Sequence, residues 1–156
     1  MAGRAPRNKG ACFGMPIHSR ETRLVHRAFG NHESPKPRPG ALNNRQLADE
    51  LCAGSCTLRE ARRAHVQSFG TLIPHVFMGS VLAHVGRCVL QKVLGKAASR
   101  AEMLSILQTL ESAMDAGDRE TRNVIAISFV RDAELEPFFR LLRPHMGPKM
   151  SLQLRG

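Results

Sequence analysis

Polar side chains that interrupt apolar stretches of this sequence are the first candidates for a site. His75 follows Pro74 at the start of one such stretch, and Asn123 and Ser128 interrupt a second one at residues 118–132. An imidazole at the start of a helix tends to be neutral, which suits hydrogen bonding. Because a buried polar group without a partner costs about 1–3 kcal/mol, we expect Asn123 or Ser128 to bond His75 or the carbonyls around Pro74.

Catalytic arrangements find little support in the sequence. Ser128, His75 and Asp132 could formally supply the serine, histidine and acid of a hydrolase, but Ser128 lacks a nucleophile elbow and a glycine turn for an oxyanion hole. The phosphate-loop, dinucleotide-binding and H-E-x-x-H zinc motifs are also absent from the sequence. We therefore predict no enzyme, no catalytic residues and no cofactor, and keep a hydrolase around His75 as an alternative.

The cysteines do not predict a metal site. Cys52 and Cys56 are four residues apart and His65 follows them, but Gly54 lies between the two thiols and no second cysteine pair follows. Structural zinc sites need four ligands at recognisable spacing, so we predict no metal ligands here. The first forty residues contain no apolar segment typical of a secretory signal, which predicts reduced thiols and a cytoplasmic protein.

Composition favours helices over a sheet. Of the 156 residues 42% are hydrophobic, but only 4% are aromatic and neither Trp nor Tyr occurs. Strands are enriched in aromatic and β-branched residues, so a core of Leu, Val, Ile, Met and Phe is more typical of a helical domain. The uncharged segment at residues 71–86 is too short and too polar to span a membrane.

The net charge of +10 is concentrated at the N-terminus. Residues 1–40 contain eight Lys and Arg against two Glu, whereas residues 41–156 contain fifteen against eleven acids. A nucleic-acid-associated protein that uses this tail and the cluster Arg59, Arg62 and Arg63 is an alternative. Since the folded part is only mildly basic, we predict that nucleic acid is not the partner.

Three regions follow from these patterns. Residues 1–40 lack any helix or strand period and end in SPKPRPG, which predicts a disordered basic tail. Residues 41–150 predict an all-α domain, a compact bundle of five to six helices without strands, and residues 151–156 a C-terminal tail. The oligomeric state does not follow from the sequence.

Helix signals divide the domain. Thr57 with Glu60, and Ser99 with Glu102, have the S/T-x-x-E spacing of a capping box, and Asp118 can cap the central helix at residues 118–132. Helix ends are predicted by their glycines, Gly54, Gly70 and Gly117. From Pro74 onward the apolar residues predict a long buried helix, or two with a break near Gly86, where Gly79, Ala83 and Gly86 would let a neighbouring backbone approach closely.

Two segments carry a resemblance to a known family: LIPHVFMGSV at residues 72–81 and AGDRETRNVIAISFVRD at residues 116–132. They resemble an uncharacterised bacterial family of small α-helical domains with an LPHxFxGD-like and an NxIAxSF-like motif. The residues that match are Pro74, His75, Phe77, Gly79, Asn123, Ile125, Ser128 and Phe129. The resemblance covers roughly residues 55–148. The chain departs from the family pattern at Ser80, where an acidic residue is usual, and at Arg131 and Asp132, which replace a Glu-Asn pair.

The resemblance implies a binding function for these motif residues, or a structural one. The family has no established activity, and its small bacterial domains are similar to immunity proteins, which work by occluding a toxin. That similarity is one of size and fold class, so it implies a function only by analogy. We accordingly expect a cytoplasmic helical module that binds another protein, such as a toxin, through its surface.

Overall fold

The computed structural model describes residues 40–154, and these residues form seven helices and no strand. The all-α class is therefore confirmed, with seven helices where the sequence predicts five to six. Residues 1–39, which contain nearly all of the predicted tail, and residues 155–156 lie outside the described part of the chain. Within residues 40–154, no helix combines the length and apolarity needed to cross a lipid bilayer.

Long helices come first in the chain and short ones follow. They are α1 Asn44–Ala53, α2 Cys56–Phe69, α3 Pro74–Val93, α4 Ala97–Ala116, α5 Arg119–Ile125, α6 Asp132–Glu134, α7 Phe139–Leu142 and α8 Pro148–Gln153. A π-helical segment, Ala126–Arg131, joins α5 to α6, so these three pieces form one continuous helix. The eight labels therefore correspond to seven helices. A 3-10 turn, Arg143–His145, extends α7, and α8 continues past residue 150, where the sequence predicts the domain to end.

Side-chain caps begin helices α1 and α5. Asn43 caps α1, and its side chain accepts hydrogen bonds from the backbone N–H groups of Arg45 and Gln46. The predicted cap at the start of α5 is present, since the Asp118 carboxylate accepts from the N–H of Thr121 at 2.7 Å. Each cap satisfies backbone donors that the first turn of a helix leaves unpaired.

Both capping boxes of the S/T-x-x-E type were predicted at the wrong residues. Ser55 caps α2 by accepting from the N–H of Leu58, which leaves Thr57 inside the helix. Helix α4 begins at Ala97, so Ser99 lies within its first turn and donates instead to the side chain of Gln91 at 2.6 Å. The tertiary contacts of these side chains outweighed the local pattern.

Helix α3 lies at the centre of the fold and packs against α2, α4 and the π segment. Its inward residues, with those of α4 and of the π segment, form the core; fully buried members include Phe77, Val81, Val85, Met103, Leu110, Ile125, Phe129 and Val130. The helix continues unbroken through Gly86, where a Cβ atom would lie 2.5 Å from the ring of Phe138. Glycine is needed there because the aromatic ring packs directly on the α3 backbone.

The C-terminal helices are attached to α3 and α4 by polar contacts. The Glu111 carboxylate of α4 accepts from the backbone N–H groups of Lys149 and Met150, at 2.6 and 3.0 Å, and so caps the start of α8. At the other end of the domain, the Nζ atom of Lys92 lies 2.7 Å from Nε2 of His145. Burial and then the charges of Lys92 and Arg100 lower the pKa of His145, so its imidazole is an acceptor for this lysine.

Candidate functional site

His75 and Ser128 meet where the first turn of α3 contacts the π segment. Pro74 occupies the first turn of α3, where its missing N–H costs no hydrogen bond. The next residue, His75, holds its Nδ1 atom 2.6 Å from Oγ of Ser128. The Ser128 side chain is buried, whereas His75 is exposed. This contact is one of the hydrogen bonds that the sequence predicts between the two motifs.

The π segment determines which of its residues face inward. Ser128, Phe129 and Val130 are three consecutive buried residues, and Ile127 just before them is 44% exposed. A π turn inserts an extra residue into the helix and often occurs at functional sites. The insertion here is accompanied by a buried serine directed at a histidine on another helix.

Asn123 is exposed, so its predicted burial is wrong. Asn123 and Ser128 are five residues apart, which on a helix places them on different faces. The buried polar residue of α5 is Thr121 instead; it is 0% exposed and its Oγ1 has no hydrogen-bond partner within the described residues. No period in this segment was strong enough to distinguish Thr121 from Asn123 as the inward residue.

The remaining motif residues divide between core and surface. Phe77, Ile125 and Phe129 are buried in the core. Pro74 is half-buried, and Gly79 is exposed with no atom within 4 Å of the place its Cβ would occupy. Part of the family-like pattern is therefore explained by packing, and only the outward residues can contact a partner.

The arrangement around His75 lacks the acid of a hydrolase. Asp132 is exposed, and no side-chain hydrogen bond among residues 40–154 joins it to His75. A serine and a histidine without an acid to orient the imidazole lack one member of the triad arrangement. The pair is better suited to fixing the π segment against α3.

Cys52, Cys56 and His65, which the sequence analysis did not favour as metal ligands, have separate environments. Cys52 is buried and Cys56 is exposed. Burial raises the pKa of the Cys52 thiol, although nearby Arg62 opposes the shift. The Nε2 atom of His65 accepts from the backbone N–H of Ile73 at 2.9 Å, so this histidine ties α2 to the loop before α3.

A polar cluster that the sequence did not reveal lies between α2, α3 and α4. It consists of Ser55, His84, Cys88 and Glu102, and we call it the His84 cluster. The Nε2 atom of His84 lies 2.9 Å from Oε1 of Glu102, 3.4 Å from Oγ of Ser55 and 3.7 Å from Sγ of Cys88. His84 and Cys88 share one face of α3 because they are four residues apart, which is the one local signal that could have found them.

Charge in the His84 cluster is carried by Glu102. Burial alone would raise the pKa of Glu102, but hydrogen bonds from Ser55 and His84 outweigh it and hold the pKa below its usual value. Burial, and then the charge of Glu102, raises the pKa of the Cys88 thiol. Ser55, His84 and Cys88 are buried, while the Glu102 side chain is 30% exposed and gives the cluster contact with solvent.

The outer side of α3 carries a second unexpected feature, which we call the α3 stripe. Its residues are Val76, Gly79, Ala83, Gly86, Leu90 and Val93, spaced 3, 4, 3, 4 and 3 residues apart. All of them are exposed except Gly86, which the ring of Phe138 covers. The predicted burial of α3 therefore holds for its inner face only.

Within residues 40–154, the predicted arginine cluster is partly neutralised by a neighbouring acid. Arg62, from the predicted arginine cluster, pairs with Asp49, while Arg59 and Arg63 are exposed. A cleft of about 650 Å³ near the starts of α1, α3 and α5 is lined by Arg45 and Arg62, but also by Asp118 and Glu120. A cleft of mixed sign is not typical of a phosphate or nucleic-acid site.

Comparisons with known proteins add no relative. No protein family model, no curated protein and no solved structure gives a significant match to this chain. The family resemblance seen in the two motifs stays a prediction.

Proposed function

We propose that this domain is a protein-binding module that docks an amphipathic helix of its partner along the α3 stripe. The observation that carries the proposal is the exposure of five apolar or small residues of one helix, at spacings of 3, 4, 7 and 3 residues: Val76, Gly79, Ala83, Leu90 and Val93. This spacing is the seam of a coiled coil, in which side chains of one helix enter holes on the other.

The size of the exposed side chains supports a docking role. Val76, Leu90 and Val93 are 47%, 56% and 65% exposed. Single exposed apolar residues are ordinary, but a contiguous apolar strip on a monomer marks an interaction surface. From Val76 to Val93 the stripe extends over about 26 Å, or about five helical turns, a length that one partner helix can cover.

The middle of the stripe is shaped for side chains of another element. Gly79 and Ala83 leave a shallow depression between the larger residues, since no atom lies within 4 Å of a Cβ built on Gly79. At Gly86, the same kind of depression is already filled by Phe138 of the same chain. We expect an apolar side chain of a partner helix to pack at Gly79 in the same way.

The partner's chemistry follows from charge. Arg87 borders the stripe and is the one residue with a permanent charge among the exposed residues of α3. A partner helix with an apolar seam, flanked by an acidic residue opposite Arg87, would therefore complement the α3 stripe. The resemblance in sequence favours a toxin as the partner, which would make the chain an immunity-like protein.

The experiment compares two variants of the full chain that carry the same number of changes. Proteins retained by the wild-type chain from cells that express it are identified, purified and titrated calorimetrically against each variant. The stripe variant is Val76→Lys with Leu90→Lys. The control variant is Val66→Lys with Leu152→Lys, which changes apolar residues of similar exposure, 39% and 59%, on α2 and α8.

We expect the stripe variant to bind at least about 30-fold more weakly, because central interface residues contribute about 2 kcal/mol or more. The control variant should bind like the wild type. Equal binding by the stripe variant, or the absence of any partner retained by the wild type, contradicts the proposal. Sedimentation of the purified chain distinguishes the remaining outcome, self-association through the stripe, which would replace the partner with a second copy.

A further inference from the structure

Three polar side chains of the His84 cluster converge on one ring nitrogen of the fourth, His84. The Nε2 atom of His84 has an oxygen of Glu102, the hydroxyl of Ser55 and the thiol of Cys88 within 3.7 Å. Nitrogen in a neutral imidazole offers either one hydrogen or one lone pair. It can therefore satisfy one of these neighbours, and the Glu102 carboxylate, at 2.9 Å, is the closest.

Hydrogen bonding leaves the thiol without a comparable partner. Ser55 accepts from the N–H of Leu58 at 3.2 Å and is also hydrogen-bonded to Glu102. The Sγ atom of Cys88 makes one contact of hydrogen-bond type within the described residues, the 3.7 Å approach to His84. Cys88 is therefore poorly paired within this buried network, and a bound ion would give its sulfur a closer partner.

We propose that the His84 cluster is a binding site for a divalent transition metal of the zinc class, with Nε2 of His84, Sγ of Cys88 and Oε1 of Glu102 as its three protein ligands. These three atoms lie within 4.8 Å of one another and come from the inner face of α3 and from α4. Zinc binds nitrogen, sulfur and oxygen at about 2.0–2.3 Å, so neighbouring ligands of a tetrahedral site are about 3.2–3.7 Å apart. The 3.7 Å separation of Nε2 and Sγ already fits, whereas Oε1 must move outward from its 2.9 Å contact with Nε2. Sγ and the carboxylate oxygen lie within 4.8 Å of each other and approach on binding.

Charge balance supports a divalent cation at this buried place. On binding, the Cys88 thiol gives its proton to solvent and becomes a thiolate, and the Glu102 carboxylate is already anionic. Two negative ligands neutralise a charge of +2, so the occupied cluster buries no net charge. A mixed nitrogen, sulfur and oxygen set selects zinc and its neighbours over magnesium or calcium, which prefer oxygen ligands.

The fourth position stays open to a small molecule. The hydroxyl of Ser55 lies 3.4 Å from Nε2, and the partly exposed Glu102 connects the cluster to solvent. Three protein ligands with an open position are typical of sites where the metal binds water or substrate.

One neighbour opposes binding. The Nη2 atom of Arg87 lies 3.4 Å from Nδ1 of His84, where it favours the ring form that has its hydrogen on Nε2. A metal on Nε2 requires the imidazole to carry its hydrogen on Nδ1, so Arg87 must turn away. Since Arg87 is exposed, it can do so into solvent.

The test uses cobalt as a spectroscopic probe. The full chain, stripped of metal with a chelator, is titrated with Co²⁺, and absorbance is recorded in the near ultraviolet and the visible. We expect one Co²⁺ per chain, a thiolate-to-cobalt charge-transfer band, the strong visible bands of four-coordinate cobalt, and displacement of the signal by Zn²⁺. Absence of the charge-transfer band in the wild type overturns the proposal.

Matched variants identify the ligands. Cys88→Ser removes the thiolate at almost unchanged volume and should abolish the charge-transfer band. Glu102→Gln should weaken Co²⁺ binding by about 100-fold, since even groups that only support metal ligands contribute about 10–100-fold to metal affinity. Cys52→Ser, at another buried cysteine, should keep the band. A band that survives Cys88→Ser, or disappears in Cys52→Ser, contradicts the assignment.

Folding of the variants is checked independently. Circular dichroism of each metal-free variant should match that of the metal-free wild type. Zn²⁺ should raise the melting temperature of the wild type and of Cys52→Ser, and leave that of Cys88→Ser unchanged. An equal rise in all three would place the metal elsewhere and overturn the proposal.

Discussion

Ser128→Ala tests the contact that joins the two motifs of the sequence. The substitution removes the hydroxyl that lies 2.6 Å from Nδ1 of His75. A hydrogen bond contributes a net of about 0.5–1.5 kcal/mol to the free energy of unfolding. Because His75 is exposed, water can replace its lost partner, so we expect a loss of about 1 kcal/mol and no added cost of an unpaired buried group.

The measurement is urea unfolding followed by far-ultraviolet circular dichroism, since the chain has no Trp or Tyr to report by fluorescence. The midpoint should fall without a change in slope, because the surface exposed on unfolding is unaltered. A loss of this size lowers the melting temperature of a domain of this length by about 4 °C. Asn123→Ala is the control: its side chain is exposed, and we expect a change within about 0.5 kcal/mol.

A double-mutant cycle with His75→Ala decides whether the loss comes from the contact itself. The coupling energy between Ser128→Ala and His75→Ala should be about 1 kcal/mol. A coupling of zero would show that the serine acts through packing alone. A loss in Asn123→Ala as large as that in Ser128→Ala would refute the assignment of inward and outward residues in this helix.

Three further predictions concern packing, capping and pH. Gly86→Ala should lower the free energy of unfolding in urea by about 1–3 kcal/mol, because the new methyl group forces the Phe138 ring away. Adding Phe138→Leu should recover part of this stability, and no recovery would contradict the close contact. Glu111→Ala removes the acceptor of two backbone N–H groups and should cost about 2–3 kcal/mol, while Asp115→Ala on the same helix, in an exposed ion pair, should leave the urea midpoint unchanged. The pKa of His145 is lowered in the folded protein, so protons bind the unfolded state more tightly. The free energy of unfolding should therefore fall as the pH falls below the ordinary pKa of 6.5. His145→Gln should flatten this pH dependence, and an equal slope in both proteins would refute the prediction.

Local signals in the sequence were enough to predict most helices. Each of these signals depends only on residues close to it in sequence. They include Pro74 at a helix start, Gly70 in the left-handed region at a helix end and Asp118 as a cap. The partnership of His75 with Ser128 was also foreseeable, because a serine in an apolar helix needs a partner and few polar groups were available. These features depend on backbone hydrogen bonds and composition, which the sequence contains directly.

Sequence patterns were less informative where a residue's direction depends on other helices. Helix α3 is apolar almost all round, so its period could not show that the Val76 to Val93 stripe faces solvent. Asn123 was predicted to face inward because it lies between apolar residues, whereas packing turned Thr121 of the same helix inward instead. The tertiary packing decided both.

The chain by itself thus determined its all-α class, most helix boundaries and one contact between helices. Only the tertiary structure brought His84, Cys88 and Glu102 together, because Glu102 lies on a different helix and its local pattern indicated a cap. Proximity between side chains on separate helices depends on how those helices pack, and one sequence without that packing does not specify it.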